Sequence, residues 1–366
     1  MSKTVAQELV EFGQSIWVDN ISRGMIDSGK LKELIGLGLR GMTSNPTIFH
    51  KSISQSSDYD QKILSLCDLG KSTFEIYDDL TVKDIQDAAD IFLPLYEETK
   101  GLDGYVSLEV NPLLAYDTER TIEEARRLHK KVNRPNVMFK VPATGDGFAA
   151  IEELTSDGMN INVTLIFSLQ QYIDTANAYL KGLTRLIKNN KDARRVRSVA
   201  SVFVSRIDTA VDNLLDPKGL ARLKGKAAAA NCSIIYGKYL EIFSSKEFNE
   251  LKKLGANAQR VLWGSTSTKN PAYSDIKYVT ELIARDTVNT MPENTFEAFL
   301  DHGDAKEAIT ADAKEAKAII SDLKKAGIDI NEICAKLLDE GVAAFENSFD
   351  SLLKAIEGKT KSVCKK

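Results

Sequence analysis

Histidine is scarce in this chain: His50, His129 and His302 are the only three in 366 residues. The side chain most used for acid–base and metal chemistry near neutral pH is thus almost missing, and catalysis would have to rest on lysine, carboxylates and hydroxyls. Cysteine is also sparse. Cys67, Cys232, Cys334 and Cys364 lie far apart with no Cys-x-x-Cys pair, which argues against a disulfide framework and a structural zinc site. Apolar runs such as Val137-Met138-Phe139 and Val163 to Phe167 are too short to span a bilayer, and Met1 to Gln14 is polar and amphipathic without a signal-peptide core. The expectation is a cytoplasmic protein with no membrane partner. Positive charge is not in excess either: 48 Lys and Arg against 52 Asp and Glu give −4, which leaves no global field to hold a phosphate polymer and argues against a nucleic-acid partner.

What the chain does have is ordinary globular composition, 43% hydrophobic and 27% charged, with no linker or low-complexity stretch. Short β-rich runs recur at Ile16 to Val18, Leu39 to Thr43, Tyr105 to Val110, Val137 to Val141, Ile161 to Phe167, Val196 to Val204, Arg260 to Trp263 and Asp286 to Thr290. Helical patterns lie between them at Lys83 to Thr99, Thr118 to Val132, Gly147 to Leu154, Leu169 to Lys188, Leu220 to Leu254 and Tyr273 to Arg285. Strands alternating with helices imply crossovers and a parallel sheet buried on both sides, and eight such units most simply close into an α/β barrel, the (β/α)8 or TIM barrel. One domain over 1–366 is expected: a barrel over about 10–292, a helical extension over 293–358 and a frayed lysine-rich end at 359–366. The extension carries Phe345, Phe349, Leu352 and Ile356 on one stripe, so it must pack outside the barrel or over one mouth. An open doubly wound sheet competes, because Gly36 to Gly41 spells G-x-G-x-x-G. That motif precedes a strand, whereas a dinucleotide site needs it after one, so it reads as a helix stop and turn.

In such a barrel the site is built from the carboxyl ends of the strands. In order those ends offer Asp19, Asn45, Glu109 with Asn111, Lys140, Asn162 with Thr164, Ser201 with Arg206, and Ser265 to Lys269. Single cases have bland readings as caps or turn residues. Polar residues inside apolar strands do not. Lys140, in Val137-Met138-Phe139-Lys140-Val141-Pro142, is the sharpest: burial disfavours an ammonium and leaves an amine able to attack a carbonyl. Its bland alternative is a lysine that snorkels to solvent or pairs structurally with Glu109. Glu109, one strand earlier, could shuttle protons during imine formation, Thr164 could hold a water, and Asp19 could act as base on a substrate hydroxyl. The hydroxyl-rich loop Gly264 to Lys269, with Arg206 opposite, suits a phosphate.

Taken together, Trp17-Val18-Asp19, Thr43-Ser44-Asn45-Pro46-Thr47, Ser107 to Val110, Phe139 to Thr144, Asn160 to Phe167 and Ser201 to Arg206 closely resemble the transaldolase family, class I Schiff-base enzymes of the non-oxidative pentose phosphate pathway. The resemblance runs from about Val10 through Pro292 and is to the longer branch, not to the short fructose-6-phosphate aldolases. It implies that Lys140 attacks C2 of a ketose phosphate, that Glu109 and Thr164 hold the water assisting dehydration, and that Asp19 takes the C4 hydroxyl proton. Asn45 and Asn162 would bind hydroxyls of the retained dihydroxyacetone unit, Ser201 and Phe203 would line the pocket, and Arg206 would bind phosphate. Many members carry a second arginine in the loop after the seventh strand. Here Ser265 and Lys269 stand in that loop, and a lysine gives charge without a bidentate fork. No cofactor and no metal are implied, the partners are small sugar phosphates, and a monomer or homodimer is expected. Two alternatives remain at this stage: an aldolase of the fructose-6-phosphate type, and a catalytically silent sugar-phosphate-binding barrel.

Overall fold

A computed structural model of the protein describes residues 3–363. Among them eight strands close in chain order into one parallel barrel: β1 (Gln14–Asp19), β2 (Leu39–Thr43), β3 (Tyr105–Glu109), β4 (Val137–Pro142), β5 (Ile161–Ile166), β6 (Ser198–Phe203), β7 (Arg260–Gly264) and β8 (Thr287–Met291). Closure comes from β1 pairing with β8, Trp17 opposite Thr290 and Val18 opposite Met291. Every residue of β3, β4 and β5 is buried, as expected for parallel strands with side chains filling the barrel inside and helices covering it outside. The architecture is therefore the (β/α)8 barrel, with extra helices and a helical C-terminal region.

Helices Thr118–Val132 and Leu169–Lys188 have the bounds that the hydrophobic period predicts, because each has a strong start signal. Asp117 accepts from Arg120 N at 3.0 Å, and Ser168 forms a reciprocal capping box with Gln171. Other elements depart from expectation. The helix placed at Lys83 to Thr99 begins at Thr73, started by a Ser72/Glu75 capping box. The long pattern from Leu220 to Leu254 divides into a 3-10 turn (Ala221–Leu223) and helices Ala227–Phe243 and Lys246–Lys253, the last opened by the Ser245 cap. The pattern from Tyr273 to Arg285 yields only one helical turn, Lys277–Thr280. Past Thr280 the chain leaves the helix, and the Ile283 carbonyl accepts from Ala308 N and Ile309 N at 2.9 and 3.0 Å.

The Gly36 to Gly41 motif serves as expected: a helix ends at Gly36 and the chain turns into β2. Gly41 lies beneath the Trp17 indole, where a Cβ would stand 2.6 Å from the ring, so only glycine lets β1 and β2 pair here. At the amino-terminal floor of the barrel Arg260 reaches Asp103 (3.0 Å), Ser15 Oγ (2.7 Å) and the Thr287 carbonyl (2.6 Å), a buried polar plug at the opposite end from the carboxyl mouth.

The C-terminal region forms helices Glu293–His302, Lys314–Lys325 and Ile330–Val363. The last crosses the carboxyl mouth of the barrel, as one of the two expected placements required. It buries Phe349, Leu352 and Ile356, bonds through Ser348 Oγ to Thr47 Oγ1 at 2.8 Å, and brings Gly341 down onto Leu165 of β5. It also stays helical past Gly358. Lys359 pairs with Asp60 at 2.6 Å, so the segment expected to fray is ordered through Val363, and 364–366 lie outside the described residues. Cys67 is disulfide-bonded, which its sequence separation from other cysteines did not suggest, whereas Cys232 and Cys334 are buried free thiols.

Candidate active site

The carboxyl ends of the strands and the Ile330–Val363 helix enclose a cavity of about 390 Å³. Asp19, Asn45, Lys140, Asn162, Thr164, Ser201, Phe203, Arg206, Ser265 and Lys269 all line it. Glu109 and Asn111 do not; Glu109 meets the site through Lys140 and through the small void it shares with Phe345.

Register explains that meeting. β3 and β4 place Glu109 directly beside Lys140. The ammonium donates to Glu109 Oε2 at 3.1 Å and to the Ser44 carbonyl at 2.9 Å, with both charged side chains less than a tenth exposed. Burial pushes the Glu109 carboxyl above its ordinary pKa, and the Lys140 charge limits the rise. The pair is thus a proton donor and acceptor in direct contact beside a cavity. Glu109 also lines a small void of about 10 Å³ with Leu165, Val342 and Phe345.

Asp19 ends β1 and accepts from Thr43 Oγ1 at 2.7 Å. With that proton committed, Thr290 Oγ1 donates in turn to Thr43, also at 2.7 Å. Burial raises the Asp19 carboxyl above its ordinary value, opposed first by the charge on Lys140 and then by the Thr43 bond. A base so placed is oriented by a hydroxyl chain and holds its proton more firmly once it takes one.

Asn162 sits opposite Lys140 in the β4–β5 register. Its amide nitrogen donates to Ser107 Oγ (3.0 Å) and its oxygen accepts from Ser201 Oγ (2.6 Å), so the group is locked with one N–H still available. Asn45 caps the helix Pro46–Gln55, accepting from Ile48 N at 3.0 Å. The cap reading and the ligand reading agree here, because capping uses the oxygen and leaves the NH2 for a ligand. Thr164 is fully buried, yet its hydroxyl has no partner among the described residues. The next residue, Leu165, adopts φ +60° where the β5–β6 register slips. A bulge with a left-handed leucine is costly, and such strain gathers where a side chain is being aimed.

At the other end, Arg206 occupies the first turn of the helix Ser205–Leu215, half-buried with its guanidinium 5.9 Å from the Phe203 ring centre. Lys269 is more exposed. Neither has an ion-pair partner among the described residues. Partial desolvation lowers the pKa of both, and the nearby guanidinium lowers that of Lys269 further. Ser265, at φ +55°, faces Ser205 Oγ at 3.1 Å. Glu340 is the carboxylate whose charge acts on Arg206; two neighbouring cations with no ion-pair partner and a strained serine can together take a compact anion. Arg206 and Lys269 also border a second opening of about 480 Å³ toward Lys336 and Glu340.

Sequence reasoning missed Thr43, Ser44, Thr290 and the placement of Phe345. The threonines look like ordinary strand formers, and Ser44 acts through its main-chain carbonyl. Phe345 was visible only as part of an apolar stripe. Among the described residues no group of three His, Cys, Asp or Glu side chains could hold a metal ion. No described helix is long and apolar enough to cross a membrane.

Comparison with known proteins agrees with this geometry. The family model described as Transaldolase/Fructose-6-phosphate aldolase matches residues 16–356. A protein named transaldolase from Trichodesmium erythraeum (strain IMS101) is 46% identical, covering 97% of this chain and of the relative. One from Saccharopolyspora erythraea is 47% identical over 96% of each, and a transaldolase 2 from Nostoc sp. (strain PCC 7120) is 45% identical over 97% of each. The buried lysine with its carboxylate, the cation pair across the cavity and these full-length matches converge: the chain belongs to the transaldolase/fructose-6-phosphate aldolase family.

Proposed function

We propose that the protein is a transaldolase, moving a dihydroxyacetone unit between sugar phosphates through an imine on Lys140. One observation carries this reading: a buried lysine in contact with a carboxylate stands at one end of a cavity whose other end holds two cations, neither in an ion pair among the described residues. The donor is a ketose phosphate such as sedoheptulose 7-phosphate or fructose 6-phosphate. The acceptor is glyceraldehyde 3-phosphate or erythrose 4-phosphate, as in the non-oxidative pentose phosphate pathway.

Arg206, Lys269 and Ser265 hold the phosphate, which fixes the carbonyl near Lys140. Lys140 passes its proton to Glu109, and the free amine adds to C2. Water then leaves, with Glu109 and Thr164 assisting the proton transfers, and an imine forms. Asp19 takes the C4 hydroxyl proton, the C3–C4 bond breaks, and the electron pair moves into the protonated imine to give an enamine. The aldose phosphate departs. Asn45 and Asn162 hold the hydroxyls of the remaining three-carbon unit until a second aldehyde enters, and the steps reverse. No metal or organic cofactor takes part, so chelation should leave turnover unchanged.

The test is direct. Purified protein incubated with fructose 6-phosphate and erythrose 4-phosphate should form sedoheptulose 7-phosphate and glyceraldehyde 3-phosphate. Free dihydroxyacetone with no seven-carbon product would assign it to the aldolase branch.

A further inference from the structure

We infer that Phe345, on the helix Ile330–Val363, decides the fate of the three-carbon unit by keeping water from the enamine carbon while that unit is held on Lys140, so that the unit passes to an aldehyde and is not protonated and released. This rests on the Schiff-base reading above and adds a specificity-determining residue to it.

Phe345 comes from outside the barrel, yet its ring reaches the reacting amine, with Lys140 Nζ 5.7 Å from the ring centre. It lines both the large cavity and the small void beside Glu109, so it forms part of the wall between the two. The ring is held on the barrel side by Phe203, centres 6.4 Å apart, and Phe203 in turn meets Phe167 at 5.5 Å. The carrier helix is fixed on either side of it. Four residues earlier Gly341 presses on Leu165 at the strained bulge beside Thr164, and three residues later Ser348 bonds to Thr47 next to the Asn45 cap. An apolar ring positioned this firmly offers no donor or acceptor to a substrate. Its chemistry is exclusion of water.

Exclusion matters while the enamine waits, before a new carbon–carbon bond forms; after transfer the ketose imine must itself take up water at C2 to free Lys140. The enamine left after C3–C4 cleavage has two exits. It can add through C3 to an aldehyde, forming a new carbon–carbon bond and regenerating the ketose imine. Alternatively C3 takes a proton and water adds to C2. The C2–N bond then breaks, the amine returns to Lys140 and dihydroxyacetone leaves with the oxygen from water. The ring lies over the nitrogen of that enamine, beside the carbon whose protonation by water opens the second exit.

The experiment compares wild type with Phe345→Ala, using fructose 6-phosphate with and without erythrose 4-phosphate. Dihydroxyacetone release and seven-carbon product are each scaled to the enzyme trapped at Lys140 by borohydride. The ratio of release to transfer should rise at least tenfold in Phe345→Ala. Phe345→Leu, which keeps an apolar wall, should stay within about threefold of wild type, and Phe345→Val should fall between. An unchanged ratio in Phe345→Ala with Lys140 still trapped overturns the inference. Should the alanine variant not fold, an unchanged ratio in Phe345→Val does the same. Failure of wild type itself to be trapped would instead refute the Schiff-base reading.

Discussion

Replacing Arg206 with alanine should separate substrate binding from folding in a way that few active-site changes do. The guanidinium is half-buried, has no carboxylate partner among the described residues, and stands near a second cation, Lys269. Opposite charges about 4 Å apart interact by about 4 kcal/mol at an effective dielectric of about 20. Lys269 remains in the variant and water enters the vacated space, so roughly 3 kcal/mol should be lost, within the range for truncating one partner of a hydrogen-bonded charge pair. That corresponds to a fall of about 100-fold in kcat/KM for a phosphorylated ketose. Unphosphorylated donors such as fructose or dihydroxyacetone should be almost unaffected. The apo protein should change little in stability, because repulsion from Lys269 and attraction to Glu340 are removed together, and the rise in Tm caused by inorganic phosphate should shrink. Steady-state kinetics with paired phosphorylated and unphosphorylated donors, alongside thermal denaturation with and without phosphate, check this. Equal losses for both donors, or a lower apo Tm with the phosphate response intact, would refute the reasoning.

Thr164→Val should stabilise the fold by about 1 kcal/mol, since a buried hydroxyl without a protein partner is replaced by a methyl of similar shape. It should also slow imine formation at least tenfold, and denaturant melts with single-turnover trapping read both. At the floor of the barrel, Arg260→Ala strands Asp103 in a buried position and should cost about 3–5 kcal/mol of stability while leaving trapping at Lys140 intact in the folded fraction; a loss of chemistry without loss of stability would contradict the division between floor and mouth. Because burial raises Asp19, its ionised form is disfavoured in the native state. That contribution to stability is present below the ordinary carboxylate pKa and lost as pH rises through the raised one. The acid limb of kcat should therefore lie above the ordinary 3.8, and Asp19→Asn should abolish turnover while flattening that part of the stability profile. An acid limb at or below 3.8 would rule Asp19 out as the titrating base.

The strands and most of the site were legible because each carried a local contradiction. Lys140 and Glu109 break apolar runs, and a polar group inside a buried strand needs a reason. Their adjacency then followed from strand order, and the β3–β4 register confirms it. Groups acting without such a contradiction were hidden. Ser44 contributes a main-chain carbonyl, which has no sequence signature, and Thr43 and Thr290 are common strand residues that matter only because barrel closure brings them together. The Tyr273 to Arg285 pattern misled because an apolar period marks burial without fixing the backbone: Tyr278, Val279, Leu282 and Ile283 are all buried, yet only Lys277–Thr280 is helical. Phe345 was hidden for the same reason, since its stripe gives an apolar face but not the surface that face will cover.

The central claim is that Lys140 becomes covalently bound to the substrate. Incubation with fructose 6-phosphate, reduction with borohydride and peptide mapping by mass spectrometry test it most directly. The account predicts one reduced three-carbon adduct on Lys140, absent in Lys140→Arg, whose charge is kept but whose nucleophilic amine is gone. An adduct on another lysine, or turnover with no adduct at all, would contradict it.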